Sequence, residues 1–298
     1  MEHREPRCDL PCHVPQIQTS MAKSLRYDEI GYWSEVKLDI VRKYATAYST
    51  IMAKQAVIRR HIYIDAFAGA GHHISKSTGD FVAGSPLHAL RVTPPFRELH
   101  LIDLDGTRVR ELRHLTQNDS RVLVHQGDCN RVLLSEVFPR CMFADYHRAL
   151  CLLDPYGLNV NWEVLKRAGD MGSIEVFYNF MIMDANMNVF MKDPSKVTAE
   201  QAARMDAVWG DASWREAAYR KERGLFGDIE AKATNEAIAE AFRVRLKDVA
   251  GFTFVPQPIP MRNEKGAVIY YLYFASPNNT GAKIVGEIFD TYRMRGTS

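Results

Sequence analysis

The segment best suited to chemistry is Leu152–Gly157, in which an aspartate, a proline and a tyrosine follow an apolar run. The Asp154 carboxylate can draw the protons of an amine, and Pro155 offers a fixed backbone carbonyl without an N–H of its own. Tyr156 can stack on a base extruded from a nucleic acid. These groups suit transfer to a purine amine, whose lone pair is delocalised into the ring. The alternative is that Asp154 and Pro155 merely end a strand.

A second segment, Asp65-Ala-Phe67-Ala-Gly69-Ala-Gly71, predicts a cofactor loop. Its glycines stand where a backbone must turn sharply and approach a ligand closely. A dinucleotide fingerprint would need a third small residue three positions after Gly71, where this chain has Ile74. The loop therefore favours S-adenosylmethionine over NAD, and a tight turn without a ligand is the remaining alternative.

Two later strand ends supply the other candidate cofactor residues. Asp103 closes the second predicted strand, where a carboxylate can accept both hydroxyls of an adenosyl ribose. It could instead cap the next helix, a role that Asp105 fits better. Asp128, with Cys129 beside it, follows the third predicted strand and could accept a hydrogen bond from the adenine amine. A simple Asx-turn at Asp128 is equally compatible with the sequence.

Alternating strands and helices must position these residues. The predicted strands are His61–Asp65, Glu98–Asp103, Val122–His125, Ala149–Asp154 and Ile174–Asn179, then Phe252–Ile259 and Val268–Ala275 around the turn Arg262–Gly266. The predicted helices are Ser34–Met52 with Ser34 as N-cap, Ser85–Arg91, Gly106–Leu115, Asp228–Val249 and Thr280–Arg293. This order predicts an α/β fold: a doubly wound, seven-stranded, Rossmann-like sheet of the methyltransferase type with a C-terminal antiparallel hairpin. Lys37, Arg42 and Lys43 are expected largely away from the apolar face of the first helix.

The predicted organisation has four parts. Residues 1–25 form a poorly ordered arm, 26–184 the first part of the core, 185–250 an inserted helical, winged-helix-like subdomain, and 251–298 the last strands and helix. The polar segment His72–Ala83 separates the glycine loop from Ser85 and Pro86, a good N-cap and first-turn pair, and is expected to be a lid or substrate loop.

Composition narrows the class of protein. Lys and Arg total 38 against 36 for Asp and Glu, so net charge does not indicate a polyanion partner. The apolar runs are too short to cross a bilayer and the charged start lacks a secretory apolar region, which predicts a cytoplasmic protein. Five scattered cysteines argue against a disulfide framework. Cys8 and Cys12 have no second ligand pair nearby, so no metal is predicted.

Local charge still leaves room for a nucleic-acid surface. Aromatic and basic residues interleave in the predicted insertion, and the candidate contacts are Arg215, Arg220, Lys221 and Arg223. Acidic residues such as Glu216 and Glu222 lie among them, so a solvated helix face is the alternative.

Several segments together resemble the three-Cys-motif partner protein family. They are Lys43–Gln55, Tyr63–Gly71 with Gly84–Leu87, Leu153–Gly157 and Tyr271–Ser276. The Asp154–Gly157 segment also resembles the Asp-Pro-Pro-Tyr and Asp-Pro-Phe-Gly signatures of enzymes that methylate adenine or guanine amines, and the glycine loop is more distantly similar to that of ribosomal-RNA adenine methyltransferases. The resemblance implies a methyltransferase fold and a partner protein with a cysteine motif, without settling the activity.

The resemblance and the residues leave two functions open. One is S-adenosylmethionine-dependent methylation of an exocyclic base amine, with Asp154, Pro155, Tyr156 and Gly157 as the catalytic set. The other is a non-catalytic nucleic-acid- or partner-binding protein on the same scaffold. Ring-carbon methylation is disfavoured because Tyr156, not cysteine, follows Pro155, and Cys151 lies in a predicted buried strand.

Overall fold

The structure is a computed structural model that describes residues 28–224 and 227–295, except for the side chains of 221–229 and 294–295. The predicted arm, with Cys8 and Cys12, lies outside these residues. The strands are β1 (Glu29–Ile30), β2 (Arg60–Asp65), β3 (His72–Ser75), β4 (Phe81–Ala83), β5 (Glu98–Asp103), β6 (Val122–Gln126), β7 (His147–Leu153), β8 (Ile174–Phe180), β9 (Tyr219–Gly224), β10 (Gly227–Lys232), β11 (Ile259–Arg262) and β12 (Val268–Ala275). The helices are α1 (Tyr32–Lys54), α2 (Ser85–Leu90), α3 (Gly106–Thr116), α4 (Cys129–Val132), α5 (Trp162–Met171), α6 (Ile182–Asn188), α7 (Ala199–Trp209), α8 (Trp214–Ala218), α9 (Asn235–Asp248) and α10 (Asn279–Arg295).

The main sheet has seven strands in the order β11-β12-β8-β7-β2-β5-β6. The five strands from β8 to β6 are parallel, whereas β12 runs antiparallel to β8 and β11 antiparallel to β12. This is the doubly wound, methyltransferase-type sheet with a C-terminal antiparallel hairpin that the sequence predicts, and the fold class is confirmed. The carboxyl ends of the parallel strands share one edge, where ligands bind in such sheets.

Helices cover both faces of the sheet because its central strands are apolar on both sides. Alternate residues of one strand show this, since Tyr63 packs in a cluster with α1 and α10, whereas Ile62 and Ile64 pack in a cluster with α5 and α9. Successive side chains of a strand therefore point to opposite faces of the sheet, and every second residue packs against the same helices.

Two details of α1 differ from prediction. The helix begins at Tyr32 with Gly31 as N-cap, so Ser34 lies in its first turn and caps nothing. Lys37 is 7% exposed and lies on the buried stripe with Ile40, Val41 and Tyr44. Its ammonium has a partner inside the protein, and that partner outweighs the usual preference of lysine for solvent.

The segment between α6 and the last strands is less helical than predicted. A β-hairpin, β9 with β10, stands before α9, which begins at Asn235 with Thr234 as its N-cap rather than near Asp228. The hydroxyl of Thr234 accepts the Ala237 N–H at 3.2 Å, which explains the boundary. Within 185–250, Phe190, Trp214 and Phe242 pack in one cluster with strand residues of the sheet.

Two further segments correct the sequence analysis. In 252–259 only Ile259 joins a strand, and Phe254 makes an isolated bridge to Ser276. The predicted loop His72–Ala83 is the antiparallel pair β3 and β4, and β1 pairs in parallel with β3 to complete a small three-stranded sheet. The chain just before α1 is thereby joined to the segment that follows the glycine loop.

Among the described helices, none is long and apolar enough to cross a membrane.

The surroundings of two helical glycines, Gly169 on α5 and Gly286 on α10, predict opposite effects of alanine. A Cβ added at Gly169 would stand 1.9 Å from the Ala250 carbonyl oxygen, whereas nothing lies within 4 Å of one added at Gly286. Gly169→Ala should destabilise the fold by about 1–3 kcal/mol through overpacking. Gly286→Ala should stabilise it by about 0.5–1 kcal/mol, because alanine favours the helix. Urea unfolding measures both, and equal effects would contradict the contact.

Candidate active site

Four polar side chains form a row along the carboxyl edge of the sheet. In spatial order they are Asn179 at the end of β8, Asp154 after β7, Asp65 at the end of β2 and Asp103 at the end of β5. The residues two positions before the first three, namely Phe177, Leu152 and Tyr63, all pack against α1. Strand alternation therefore places Asn179, Asp154 and Asp65 on the face that α1 covers.

Asp154 is held by two side chains that the sequence analysis did not assign. The Lys37 ammonium donates to Oδ2 and forms an ion pair in which the two side chains are 9% and 25% exposed. The Asn179 amide nitrogen donates to Oδ1. The carboxylate is therefore fixed in place at the end of β7, beside the loop that carries Pro155 and Tyr156.

Asp65 ends β2, the strand beside β7 in the sheet. Burial raises the pKa of Asp65 to about 7, and the nearby Ser85 hydroxyl and the Phe67 N–H offset part of that rise. The Phe67 N–H donates to Oδ1 at 3.2 Å, whereas Oδ2 is buried without a well-directed partner. Near neutral pH this carboxyl is thus poised between its protonated and ionised forms.

Buried polar atoms without a hydrogen-bond partner concentrate in this region. In the described part of the chain there are six of them, and five belong to the row or its surroundings: Tyr63 Oη, Asp65 Oδ2, His73 Nδ1, Asn179 Oδ1 and Tyr270 Oη. Tyr63, Asp65, His73 and Tyr270 each interact electrostatically with Asp154. Native proteins seldom leave such atoms unsatisfied, so these five atoms have hydrogen-bonding capacity for groups from outside the described chain.

Asp103 supports the glycine loop as well as lining the cleft beside it. Its Oδ2 accepts the Gly69 N–H at 2.9 Å and its Oδ1 accepts the Asp105 N–H at 2.8 Å. Gly69 has φ of +64°, a conformation that glycine adopts without strain. Asp105 caps α3, as the sequence favours, by accepting the Thr107 N–H at 2.6 Å. Each Asp103 oxygen keeps a second lone pair, so the carboxylate can still accept a pair of hydroxyls.

A cleft of about 810 Å³ opens at the ends of β2, β5 and β6. Its walls are Ala66, Phe67, Asp103, Leu104, Asp105, Arg108, Gly127, Asp128, Cys129, Tyr156 and Asn159. Four of the seven predicted cofactor residues line the cleft, namely Phe67, Asp103, Asp128 and Cys129. A fifth, Gly69, is hydrogen-bonded to Asp103. Asp65 and Gly71 lie in the strand and loop behind this wall.

Asp128 and Cys129 have structural roles at the far end of the cleft. Asp128 caps α4, its Oδ1 accepting the Arg131 N–H at 3.0 Å, while its Oδ2 is 3.5 Å from the Asn130 amide nitrogen. The sequence analysis left a simple Asx-turn as the alternative role; the structure has a helix cap there, and Asp128 also lines the cleft. Burial raises the pKa of Cys129 to about 12, so the thiol is protonated and is no nucleophile.

Tyr156 stands between two cavities. It is 64% exposed and lines both the cleft and a second cavity of about 460 Å³. Its hydroxyl donates to Asp28 Oδ2 at 2.8 Å, and the Arg108 guanidinium lies 5.9 Å from its ring centroid. Arg108 also donates to both Asp28 oxygens at 2.9 Å. The ring is therefore both accessible and held at the mouth of the cleft.

The loop after Tyr156 is fixed from α6 and α7. Asp184 accepts the Leu158 N–H at 2.9 Å and the Arg204 guanidinium at 2.6 Å. A Cβ at Gly157 would stand 2.7 Å from Asp184 Oδ2, so glycine leaves room for the Asp184 side chain to make these hydrogen bonds. Pro155 is buried beneath the loop. Of the four predicted catalytic residues, Tyr156 lines the cleft, and Tyr156 and Gly157 line the second cavity.

Sequence reasoning missed Lys37, Asn179 and His73. A lysine on the apolar stripe of an amphipathic helix was the available signal for Lys37, because burial there requires a partner. For Asn179 the signal was a polar residue closing an apolar strand at the same edge as Asp154. His73 gave no signal, because the pairing of β3 with β4 is what brings it to the site.

The predicted nucleic-acid residues lie apart from the cleft. Arg215, on α8, is 3.4 Å from Asp206 and 4.2 Å from the Trp214 ring centroid, and lines a cavity that shares no residue with the cleft. Arg220 is exposed on β9. Lys221 and Arg223 are on the same strand, with side chains outside the described set. These residues occupy a short helix and a hairpin strand rather than one helix face.

Across 28–224 and 227–295, no group of three His, Cys, Asp or Glu side chains could hold a metal ion.

Comparison with known proteins supports the fold. No family model matches the chain, and no curated protein matches it. Among solved structures, protein LPL1258 from Legionella pneumophila str. Philadelphia 1 is 12% identical with a TM-score of 0.51, over 88% of this chain and 92% of that one. A candidate S-adenosylmethionine-dependent methyltransferase from Listeria monocytogenes is 11% identical with a TM-score of 0.40, and the match covers 80% of this chain and 100% of that one. The CurJ carbon methyltransferase is 11% identical with a TM-score of 0.42, and the match covers 83% of this chain and 56% of that one. At such identities a likeness shows the architecture alone.

The ion pair between Lys37 and Asp154 predicts a measurable coupling. In a double-mutant cycle with Lys37→Met and Asp154→Asn, the coupling free energy should be about 1–3 kcal/mol, since each change alone leaves a largely buried partner uncompensated. The exposed pair Lys166 and Asp170 on α5 is the control and should couple by at most about 0.5 kcal/mol. Guanidinium unfolding of the wild type and the six variants measures both cycles. Coupling no larger than the control's would show that the pair does not organise the site.

Proposed function

We propose that the protein is an S-adenosylmethionine-dependent methyltransferase that acts on an exocyclic amine of adenine or guanine in a nucleic acid. The observation that carries this proposal is that Tyr156, which lines the cleft, directly follows Asp154 and Pro155 at the end of β7. This segment carries a carboxylate, a fixed carbonyl and an exposed aromatic ring, the groups that capture of a flat amine-bearing ring requires.

The residues of the cleft fit S-adenosylmethionine. A volume of about 810 Å³ is within the usual range for small-molecule sites. Asp103 would accept the ribose hydroxyls and Asp128 Oδ2 the adenine amine. The unsatisfied atoms of Tyr63 and Asp65, with the Lys37 ammonium, would receive the zwitterionic aminoacyl end. When bound, the cofactor supplies an electrophilic methyl sulfonium.

The protein's own contribution is to hold the acceptor amine. Tyr156 provides a stacking surface, and Asp154 draws a proton of the amine so that its nitrogen lone pair becomes available. Lys37 maintains Asp154 as a hydrogen-bond acceptor, and Asn179 Oδ1, buried without a partner, offers a second acceptor beside it. Alignment of this kind is worth several kcal/mol when reacting atoms are held in line. The buried Cys129 and Cys151 thiols, whose pKa values burial raises, favour direct transfer without a covalent intermediate.

The nucleic-acid contacts and a three-Cys-motif partner protein remain part of the proposal. Arg220 is exposed on β9 and has the charge to contact a phosphate, together with Lys221, Arg223 and Arg215. Their separation from the cleft suits the backbone of a long nucleic acid rather than the reacting base. A partner protein would have to leave the mouth of the cleft at Tyr156 open.

Calorimetry tests cofactor binding first. S-adenosylmethionine should bind at one saturable site, and Asp103→Ala should weaken it by about 1.5–3 kcal/mol, the value of a charge-assisted hydrogen-bond pair. Because Asp103 also holds Gly69, Asp103→Asn is the companion variant, keeping one acceptor for the loop. Asp119→Ala, far from the cleft, is the control. Unchanged affinity in a folded Asp103→Ala protein would refute the ribose assignment, and absence of heat would refute the enzyme.

Labelled methyl transfer tests the reaction. The protein is incubated with total RNA, DNA and protein, and the product nucleosides are analysed by mass spectrometry. Label should enter a base amine, and Asp154→Ala should reduce turnover about 100-fold or more while keeping cofactor affinity. Tyr156→Ala should weaken substrate binding by about 1–3 kcal/mol, whereas Tyr156→Phe keeps the stacking ring.

Two outcomes of that assay would contradict the proposal. Label found only in protein would refute the nucleic-acid acceptor. Near-normal turnover in a folded Asp154→Ala protein would refute the mechanism even if methyl transfer itself occurred. A Lys37→Met, Asp154→Ala double variant distinguishes loss of chemistry from the effect of an unpaired buried lysine.

A further inference from the structure

A separate cavity of about 320 Å³ lies at the opposite edge of the sheet, where β7 and β8 begin. It shares no residue with the cleft. Its lining comes from the end of α1, the starts of β7 and β8, and the junction of β12 with α10: Tyr48, Met52, Gln55, Phe143, Arg148, Gly172, Ser173, Glu175, Pro277, Asn278 and Asn279. Gln55, Asn278 and Asn279 are exposed, so the cavity opens to solvent at that rim.

Arg148 brings a positive charge to this cavity. Its guanidinium lies 3.7 Å from the Phe143 ring centroid and donates to the His147 carbonyl at 2.7 Å and the Phe143 carbonyl at 3.5 Å. These acceptors are neutral, and burial lowers the pKa of Arg148. Among the residues that the structure describes, no carboxylate forms an ion pair with this partly desolvated guanidinium, which therefore favours an anion from solution.

Tyr48 supplies a donor at the same place. Its side chain is 2% exposed, and its hydroxyl is the one buried side-chain atom in the described part of the chain that lacks a partner and lies away from Asp154 and its neighbours. Tyr48 interacts electrostatically with Arg148 and with Glu175, which both line the cavity. Tyr48 thus brings an unused donor to the cavity that Arg148 also lines.

Glu175 determines when an anion can enter. It is 4% exposed and accepts the hydroxyls of Tyr44, from α1, and Ser276, after β12, the latter at 3.0 Å. Burial raises the pKa of Glu175 to about 7. The other groups around it are Tyr48, Arg148 and the first turn of α10 at Gly281, where an added Cβ would stand 2.7 Å from Oε1. As the pH falls through this range the carboxyl takes up a proton, and its repulsion of an anion is lost.

We propose that this cavity is a binding site for a small anion, a carboxylate or a phosphate group, held between the Arg148 guanidinium and the Tyr48 hydroxyl. The site is independent of the proposed methyl transfer. Its walls include α1, β7 and β8, the elements that carry Lys37, Asp154 and Asn179 at their other ends.

Calorimetry on the full chain at constant ionic strength tests the site, with sodium phosphate and sodium acetate as separate probes at pH 6 and pH 8. At least one should bind with 1:1 stoichiometry, more tightly at pH 6, and which of them binds distinguishes phosphate from carboxylate. Arg148→Gln should weaken binding at least about tenfold, as loss of a charged hydrogen-bond partner does. Arg108→Gln, in the cleft, and Arg220→Gln, on β9, are matched controls and should leave it unchanged.

A second variant, Tyr48→Phe, separates a loss of anion binding from a loss of folding stability. The variant removes a hydroxyl that has no partner, so its Tm without anion should be equal or higher, while the rise in Tm caused by the bound probe should shrink. Absence of saturable binding by either probe would overturn the proposal. So would binding that survives Arg148→Gln, or that is lost in Arg108→Gln, because the anion would then occupy another site.

Discussion

The ion pair between Lys37 and Asp154 connects the parts of the protein on which the proposed site depends. Lys37 belongs to the first turns of α1, and Asp154 follows the strand at the centre of the sheet. A buried ammonium and a mostly buried carboxylate each need the other, because either one alone would be a costly charge in a poorly solvated place. The pair therefore fixes α1 over the carboxyl edge of the sheet and sets the position of the loop that carries Tyr156.

The rest of the row follows from strand geometry. Parallel strands end at one edge, and alternation directs every second residue to one face, so Asp65, Asp154 and Asn179 meet without any loop having to bring them together. The glycine loop is then held by Asp103, which accepts the Gly69 N–H, and the Tyr156 loop by Asp184 from α6. Functional groups are held more precisely on strand ends than on loops alone, and here hydrogen bonds also hold the loops in place.

The sequence predicted most of this where the pattern was local. Five parallel strands, the hairpin of β12 with β11 and the cluster of Asp65, Asp103 and Asp154 followed from periodicity and from strand ends. The prediction was wrong where tertiary contacts override local preference, as at Lys37, whose burial depends on a residue 117 positions away. The start of α9 was placed too early because 228–232 can satisfy either a helix or a hairpin, and pairing with β9 decides between them. The sheet formed by β1, β3 and β4 involves a partner strand from before α1, which no local pattern reveals.

The most direct test of the account is a crystal structure of the protein with S-adenosylhomocysteine. The ribose hydroxyls should lie on Asp103, the adenine near Asp128, and the sulfur should be directed at the space between Asp154 and Tyr156, with the Lys37–Asp154 pair intact. A product molecule bound elsewhere, or one whose sulfur faces away from Asp154, would contradict the central claim that these strand ends form a methyl-transfer site.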